Sequence, residues 1–256
     1  MILRALALTV ALCAAVPLAA QDVAILGEVH DNPAHHAEQA AQVSRLQPAA
    51  IVFEMLTEEQ AARVTPELRA DAEALAEALD WAESGWPDFT MYHPIFTAAP
   101  EAAIYGALVP RPIAREVFDI GPAEAFGEEA ARYGLHRGLD PAEQATREAM
   151  QMAAHCDALP EDMLPGMVAV QRLRDAVLAR AVVRAMDETG GPVAVITGNG
   201  HARRDWGVPA VLAEVAPDLD VWVLGQTEDD RPLEGEFDTV RSAPAADRAD
   251  PCAAFQ

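Results

Sequence analysis

Short apolar runs alternate along this chain with longer stretches of helical period. Runs at 23–26, 50–54, 103–109, 193–197 and 220–224 have the apolar, β-branched character of buried strands, and a weaker one lies at 237–241. Between them apolar positions recur at spacings of three and four, which predicts helices at 34–46, 57–64, 66–83, 92–99, 112–118, 122–133, 141–155, 162–188 and 208–215. The ends are punctuated accordingly. Asp31-Asn32-Pro33 supplies a cap and a proline at the first helical position. Thr57 and Gln60 have capping-box spacing, Asp140 precedes Glu143 in the same pattern, and Gly190-Gly191 closes the longest helix. Strands separated by helices predict an α/β fold: a parallel or mixed central sheet with helices on both faces and a helical insertion at about 57–188. The domain is expected over 21–242, followed by an Ala/Pro/Asp-rich tail at 243–256 that is loose apart from Cys252.

Composition adjusts this picture in three ways. A chain of 256 residues with 51% hydrophobic content suits one sizeable core. The net charge of −23, with no lysine among its 18 basic residues, argues against a nucleic-acid partner and against docking on an anionic membrane, because there is no basic surface to displace counterions. The N-terminus reads as a secretory signal: Arg4, an apolar core at 5–15, Pro17, and small residues at Ala19-Ala20 before Gln21. Residues 1–20 are therefore expected to be removed and the protein to be periplasmic. Cys13 lacks the small residue expected before a lipidated cysteine, so a lipid anchor is disfavoured. Export leaves Cys156 and Cys252, which permit a disulfide or stay as separate thiols. A homodimer is compatible with the sequence.

The chemistry concentrates at strand ends. Gly27-Glu28-Val29-His30 follows the first strand and Gly198-Asn199-Gly200-His201 follows the fourth. Sites in open α/β sheets gather at the carboxyl ends of strands, so the fold is expected to bring these distant motifs together. Glu28 and His30 alternate by two and point the same way if extended. Glu54 ends the second strand and is expected beside Glu28 on a neighbouring strand. Two glutamates and two histidines at one rim suit either a divalent metal (Zn, Mn or Co) or acid–base work. Asn199 sits between two glycines that let backbone amides approach an anion, and Arg203 offers a fork for a carboxylate. His35 and His36 open a helix, where a positive imidazole opposes the dipole, so they are expected to be neutral. The aromatic block 86–94, with Tyr92 and His93, suits a flat apolar ligand with a metal centre. Met150, Met152, Met163 and Met167 read as helix core.

Taken in order, Gly27-Glu28-Val29-His30-Asp31-Asn32, Phe53-Glu54-Met55, Gly85-Trp86-Pro87-Asp88-Phe89 and Gly198-Asn199-Gly200-His201-Ala202-Arg203 with Gly207-Val208-Pro209 resemble the ChaN family. Its members are haem-binding envelope proteins linked to iron uptake, in a superfamily with TraB/Tiki-type metalloproteases and erythromycin esterases. The resemblance implies haem as ligand; motif matching leaves the iron ligand open, with Tyr92 and His93 as the candidates, Arg203 or a nearby histidine for the propionates, and Asn199 as a further cofactor-binding residue. The wider superfamily implies the alternative, a hydrolase using Glu28, His30, Glu54 and His201 for catalysis or metal binding.

Overall fold

The computed structural model describes residues 21–250 and 252–253. The expected signal peptide at 1–20 lies outside the described residues. Six strands form one sheet: β1 (Val23–Glu28), β2 (Ala50–Phe53), β3 (Ala103–Gly106), β4 (Val193–Gly198), β5 (Val221–Glu228) and β6 (Thr239–Ala243). They are parallel throughout and run in the order β3-β2-β4-β1-β5-β6. The helices are α1 (Pro33–Leu46), α2 (Glu58–Ala62), α3 (Pro66–Arg69), α4 (Ala72–Ala78), α5 (Trp81–Ser84), α6 (Phe89–Ala98), α7 (Arg111–Phe126), α8 (Pro141–Ala154), α9 (Leu164–Thr189), α10 (Asn199–Ala202) and α11 (Val208–Val215). Of the expected strand 103–109 only the first four residues pair. Gly106 then packs directly on the Thr57 carbonyl, where no side chain would fit. The two helices expected at 112–118 and 122–133 meet at a kink within α7, at Gly121, whose φ of 78° no β-carbon residue adopts readily; the second ends at Phe126, and a short 3-10 turn follows at Glu128–Ala131.

The period of two in each strand decides what each side chain meets. Val23 and Ile25 of β1, Val52 of β2 and Val193 and Val195 of β4 face one way, onto Val117 of α7, Leu173 and Val182 of α9 and Leu212 of α11. Ala24, Leu26, Ile51, Phe53, Ala194 and Ile196 face the other way, onto Val43 of α1 and Tyr92, Ile95 and Phe96 of α6. Buried on both faces, the strands read as continuous apolar runs, as parallel strands do. The helices of 57–188 are thus divided between the two faces: α2, α4, α5 and α6 contribute to one core, α7 and α9 to the other. Among the described residues no helix is long and apolar enough to cross a membrane.

The capping box at α2 is present in both directions: Gln60 N–H donates to the Thr57 hydroxyl at 3.1 Å, and Thr57 N–H donates to the Gln60 side chain at 2.9 Å. Thr57→Ala removes one half of it and is expected to lower stability by about 1 kcal/mol, read as a lower denaturation midpoint in guanidinium with an unchanged slope.

The described part of the tail is held by Arg248 as well as by Cys252, where the expectation was a segment loose apart from Cys252. Cys156 and Cys252 are joined in a disulfide. Arg248 forks onto Asp31 (2.6 and 2.7 Å) and onto Glu228 (2.6 and 2.7 Å). Those charge-assisted bonds hold the Glu228 carboxyl down at about 2.

Candidate functional site

β1 and β4 are neighbours at the centre of the sheet, yet their connections leave in opposite directions. After β1 the chain passes by α1 to β2 on one side. After β4 it passes by α11 to β5 on the other. The two carboxyl ends therefore open a crevice, the switch point where ligands bind in doubly wound sheets. Both Gly-x-x-His loops line it.

Sheet parity sends the two glutamates to different layers. Glu28 shares the face of Ala24 and Leu26, so it meets α1 and α6. Its Oε1 accepts from the Tyr92 hydroxyl at 3.0 Å and from His30 Nδ1 at 2.8 Å, and its Oε2 lies 3.4 Å from His36 Nδ1. Glu54 continues the parity of Val52, so it meets α9. It accepts from the Thr197 hydroxyl at 2.7 Å and from Gly198 N–H at 2.9 Å, and its Oε1 lies 3.6 Å from His201 Nε2. His201 Nδ1 in turn bonds Asp175 of α9 at 2.7 Å. Glu54 and Glu28 are not on adjacent strands as expected, because β4 runs between β2 and β1. Gly198 is what lets the clusters close up: a β-carbon there would lie 3.0 Å from the His30 ring and 3.9 Å from Glu54 Oε2.

The charges sort accordingly. Burial alone would lower the pKa of His30, but its bond to Glu28 and the charges of Glu54, Glu28 and Asp31 outweigh this and hold it at about 9. Burial alone would raise Glu54; the charges of His201 and His30, with the Thr197 and Gly198 donors, bring it down to about 2. His201 is raised despite burial, by Glu54 and Asp175. Asp175 is raised by burial, against the pull of His201. The Tyr92 phenol is pushed well above its usual value by burial and by Glu28, so it is a neutral donor. His35 is lowered by burial, and its bonds fix a neutral ring: Nδ1 accepts from Val29 N–H at 3.0 Å and Nε2 donates to the Thr227 carbonyl at 3.2 Å.

The resulting cleft has a volume of about 400 Å³. Its floor is polar, with Glu28, His30, Glu54, Asn199 and His201; its wall is apolar, with Trp86 and residues 107–109. Arg174 of α9 stands at the rim. The structure thus gathers Glu28, His30, Glu54, His201 and Asn199 in one place, but not the other candidates. Tyr92 is fully buried behind Glu28. His93 does not line the cleft; its Nε2 donates to the Arg69 carbonyl at 2.9 Å. Arg203 forks onto Asp205 and lies over the Trp206 ring at 3.6 Å, away from the cleft. Asn199 spends its side chain bridging both backbone groups of Gln226 on β5 (2.8 and 2.9 Å). The divalent-metal shell expected of Glu28, His30, Glu54 and His201 is not formed. Among the described residues no group of three or more His, Cys, Asp or Glu is disposed to hold a metal ion.

Sequence reasoning missed Asp175 and Arg174. Asp175 left a signal: it stands seven residues after Val168 and seven before Val182, a lone acid on an otherwise apolar stripe of α9.

A family model described as "Haem-binding uptake, Tiki superfamily, ChaN" matches residues 14–212. The chain belongs to that family. Among solved structures, one described as "Cofacial heme binding to ChaN of Campylobacter jejuni" aligns with a TM-score of 0.63 at 18% identity, covering 86% of each chain. At that identity the likeness speaks for the fold. The type III effector HopBA1 (12% identity, 88% of each chain, TM-score 0.44) and a succinoglycan biosynthesis protein (11% identity, 82% of this chain and 67% of the other, TM-score 0.46) are more distant. No curated protein matches this ChaN-family chain.

Proposed function

We propose that this ChaN-family protein is exported and binds haem in the service of haem or iron uptake. Family membership across 14–212 carries the reading. The switch-point region fits a macrocycle in part. Trp86 and 107–109 give an apolar wall, and Arg174 gives a cation at its edge for a propionate. The floor does not fit as a source of iron ligands. His30 is held protonated by Glu28, His201 is clamped between Asp175 and Glu54, and the Tyr92 phenol donates to Glu28. Bound haem would supply an iron centre, and the chain's own role is to shelter the macrocycle and anchor its carboxylates. Haemin added to the purified mature chain is expected to give a saturable Soret band; a flat titration ends the reading. Export is tested by N-terminal sequencing of the periplasmic fraction, which should begin at Gln21.

One observation favours a second reading. The buried array Asp175–His201···Glu54 beside Glu28–His30 has the parts of an acid–base site. At neutral pH His30 is an acid, so an ionised glutamate would have to activate water. Ester hydrolysis that survives His201→Ala unchanged would exclude this use of the array.

A further inference from the structure

Beside the cleft, sharing Gln171 and Arg174 with it, lies a second groove of about 300 Å³. Three helices build it, each with one stripe. Arg111, Ala114, Arg115 and Phe118 come from α7 at i, i+3, i+4 and i+7. Met167, Val170, Gln171 and Arg174 come from α9 with the same spacing. Gln151 of α8 and His155 at its C-cap complete it.

Three features of this groove are unusual for this chain. First, no carboxylate lines it, although the protein carries 41 acidic residues and a net charge of −23. Second, its arginines are uncommitted. Elsewhere arginines such as Arg63, Arg147, Arg203, Arg204 and Arg248 hold carboxylates, whereas Arg111, Arg115 and Arg174 pair with none among the described residues. Third, His155 is set up as a ligand. Its Nδ1 is 2.7 Å from the Gln151 carbonyl, which can only accept, so in the neutral ring Nδ1 carries the proton and Nε2 the lone pair. No protein group takes that lone pair among the described residues. A backbone carbonyl behind an imidazole is the arrangement that orients and strengthens a metal-binding histidine. Around it Phe118 is 41% exposed, a large aromatic left open, and Met167, expected as helix core, is part of the wall.

We propose that this groove is the haem seat: His155 Nε2 takes the iron, Phe118, Met167 and Val170 pack on the macrocycle, and Arg111, Arg115 and Arg174 hold the two propionate carboxylates. The proposal rests on the haem-binding reading and replaces Tyr92, whose hydroxyl donates to Glu28, and His93, which lines neither the groove nor the cleft, as the iron-side residues. Arg174 and Gln171 also face the cleft, so a ligand seated here lies against its rim.

The test compares haemin with iron-free protoporphyrin IX, each titrated into the wild-type chain, His155→Ala and the double variant Arg111→Ala/Arg115→Ala, with circular dichroism confirming the fold of each. His155→Ala is expected to weaken haemin at least tenfold and shift its Soret maximum, to leave protoporphyrin IX affinity unchanged, and to regain the wild-type spectrum with added imidazole. The double variant is expected to weaken both ligands at least tenfold. Haemin binding to His155→Ala with wild-type affinity and spectrum would overturn the assignment while leaving the haem reading intact. Absence of haemin binding to the wild-type chain would overturn both.

Discussion

Glu54→Gln is expected to destabilise the protein by about 3–5 kcal/mol at neutral pH, the usual consequence of removing one member of a buried charged cluster. Glu54 is only 6% exposed, accepts from the Thr197 hydroxyl and Gly198 N–H, and faces the charges of His201 and His30. A glutamine keeps one acceptor but withdraws the negative charge that His201 faces at 3.6 Å, leaving Asp175 as that ring's sole counter-charge. A second, independent route gives a similar magnitude. Glu54 falls from a reference pKa of 4.5 to about 2, and at 1.36 kcal/mol per unit this corresponds to about 3 kcal/mol of coupling to the folded state. The sign follows from the direction. A carboxyl with a depressed folded pKa stabilises above its unfolded value and loses that contribution as pH falls through the folded value. The wild-type chain should therefore lose stability between about pH 4.5 and 2, while Glu54→Gln should be flatter there, so that the two curves converge in acid. His30 acts oppositely: raised to about 9, its contribution is complete below 6.5 and fades as pH rises through 9. Its side chain is 38% exposed, so screening keeps that alkaline effect small. Urea denaturation from pH 2.5 to 9 measures both limbs. Parallel curves for wild type and Glu54→Gln would show that the carboxylate is not coupled to the fold in this way.

The strands were legible because parallel strands buried on both faces must be apolar at every position, and such runs are visible locally. Val23 to Leu26 and Val193 to Ile196 are examples. The carboxyl-end rule then placed both Gly-x-x-His loops at one crevice without any knowledge of strand order. What the chain did not reveal was that order. Nothing near Ala50–Phe53 signals that a strand far downstream will insert between it and β1, so the expected Glu28–Glu54 adjacency failed. The role of Tyr92 was readable but overlooked: Phe89, Tyr92 and Phe96 form one helical stripe, which places the phenol in the core, while His93 one residue on turns out of it. Arg203 was misread because an Asp two residues later takes both arms of its fork. His155 carries no motif, and its promise depends on a carbonyl four residues back and on helices whose packing no local pattern declares.

Cys252→Ser is expected to lower stability by about 2–4 kcal/mol and the melting temperature by about 10 °C for a chain of this size. The disulfide spans 96 residues of sequence, so breaking it frees a large loop in the unfolded chain; the chain-entropy model sets an upper bound of about 4.7 kcal/mol. The folded state adds a reason. Cys156 directly follows His155, and Cys156 and Asp157 both sit at positive φ (61° and 54°), a backbone that non-glycine residues hold only when surroundings fix it. The covalent link supplies that fixation from the tail, and the Arg248 fork on Asp31 and Glu228 positions the same tail from the other end. Thermal melts with and without reductant separate the contributions. Reductant should lower the wild-type midpoint to that of Cys252→Ser and leave the variant where it is. A wild-type melt unmoved by full reduction, confirmed by thiol titration, would mean that the tail is held by its charges alone. Because the link begins beside His155, the reduced chain should also bind haemin more weakly than the oxidised one, at temperatures well below either midpoint.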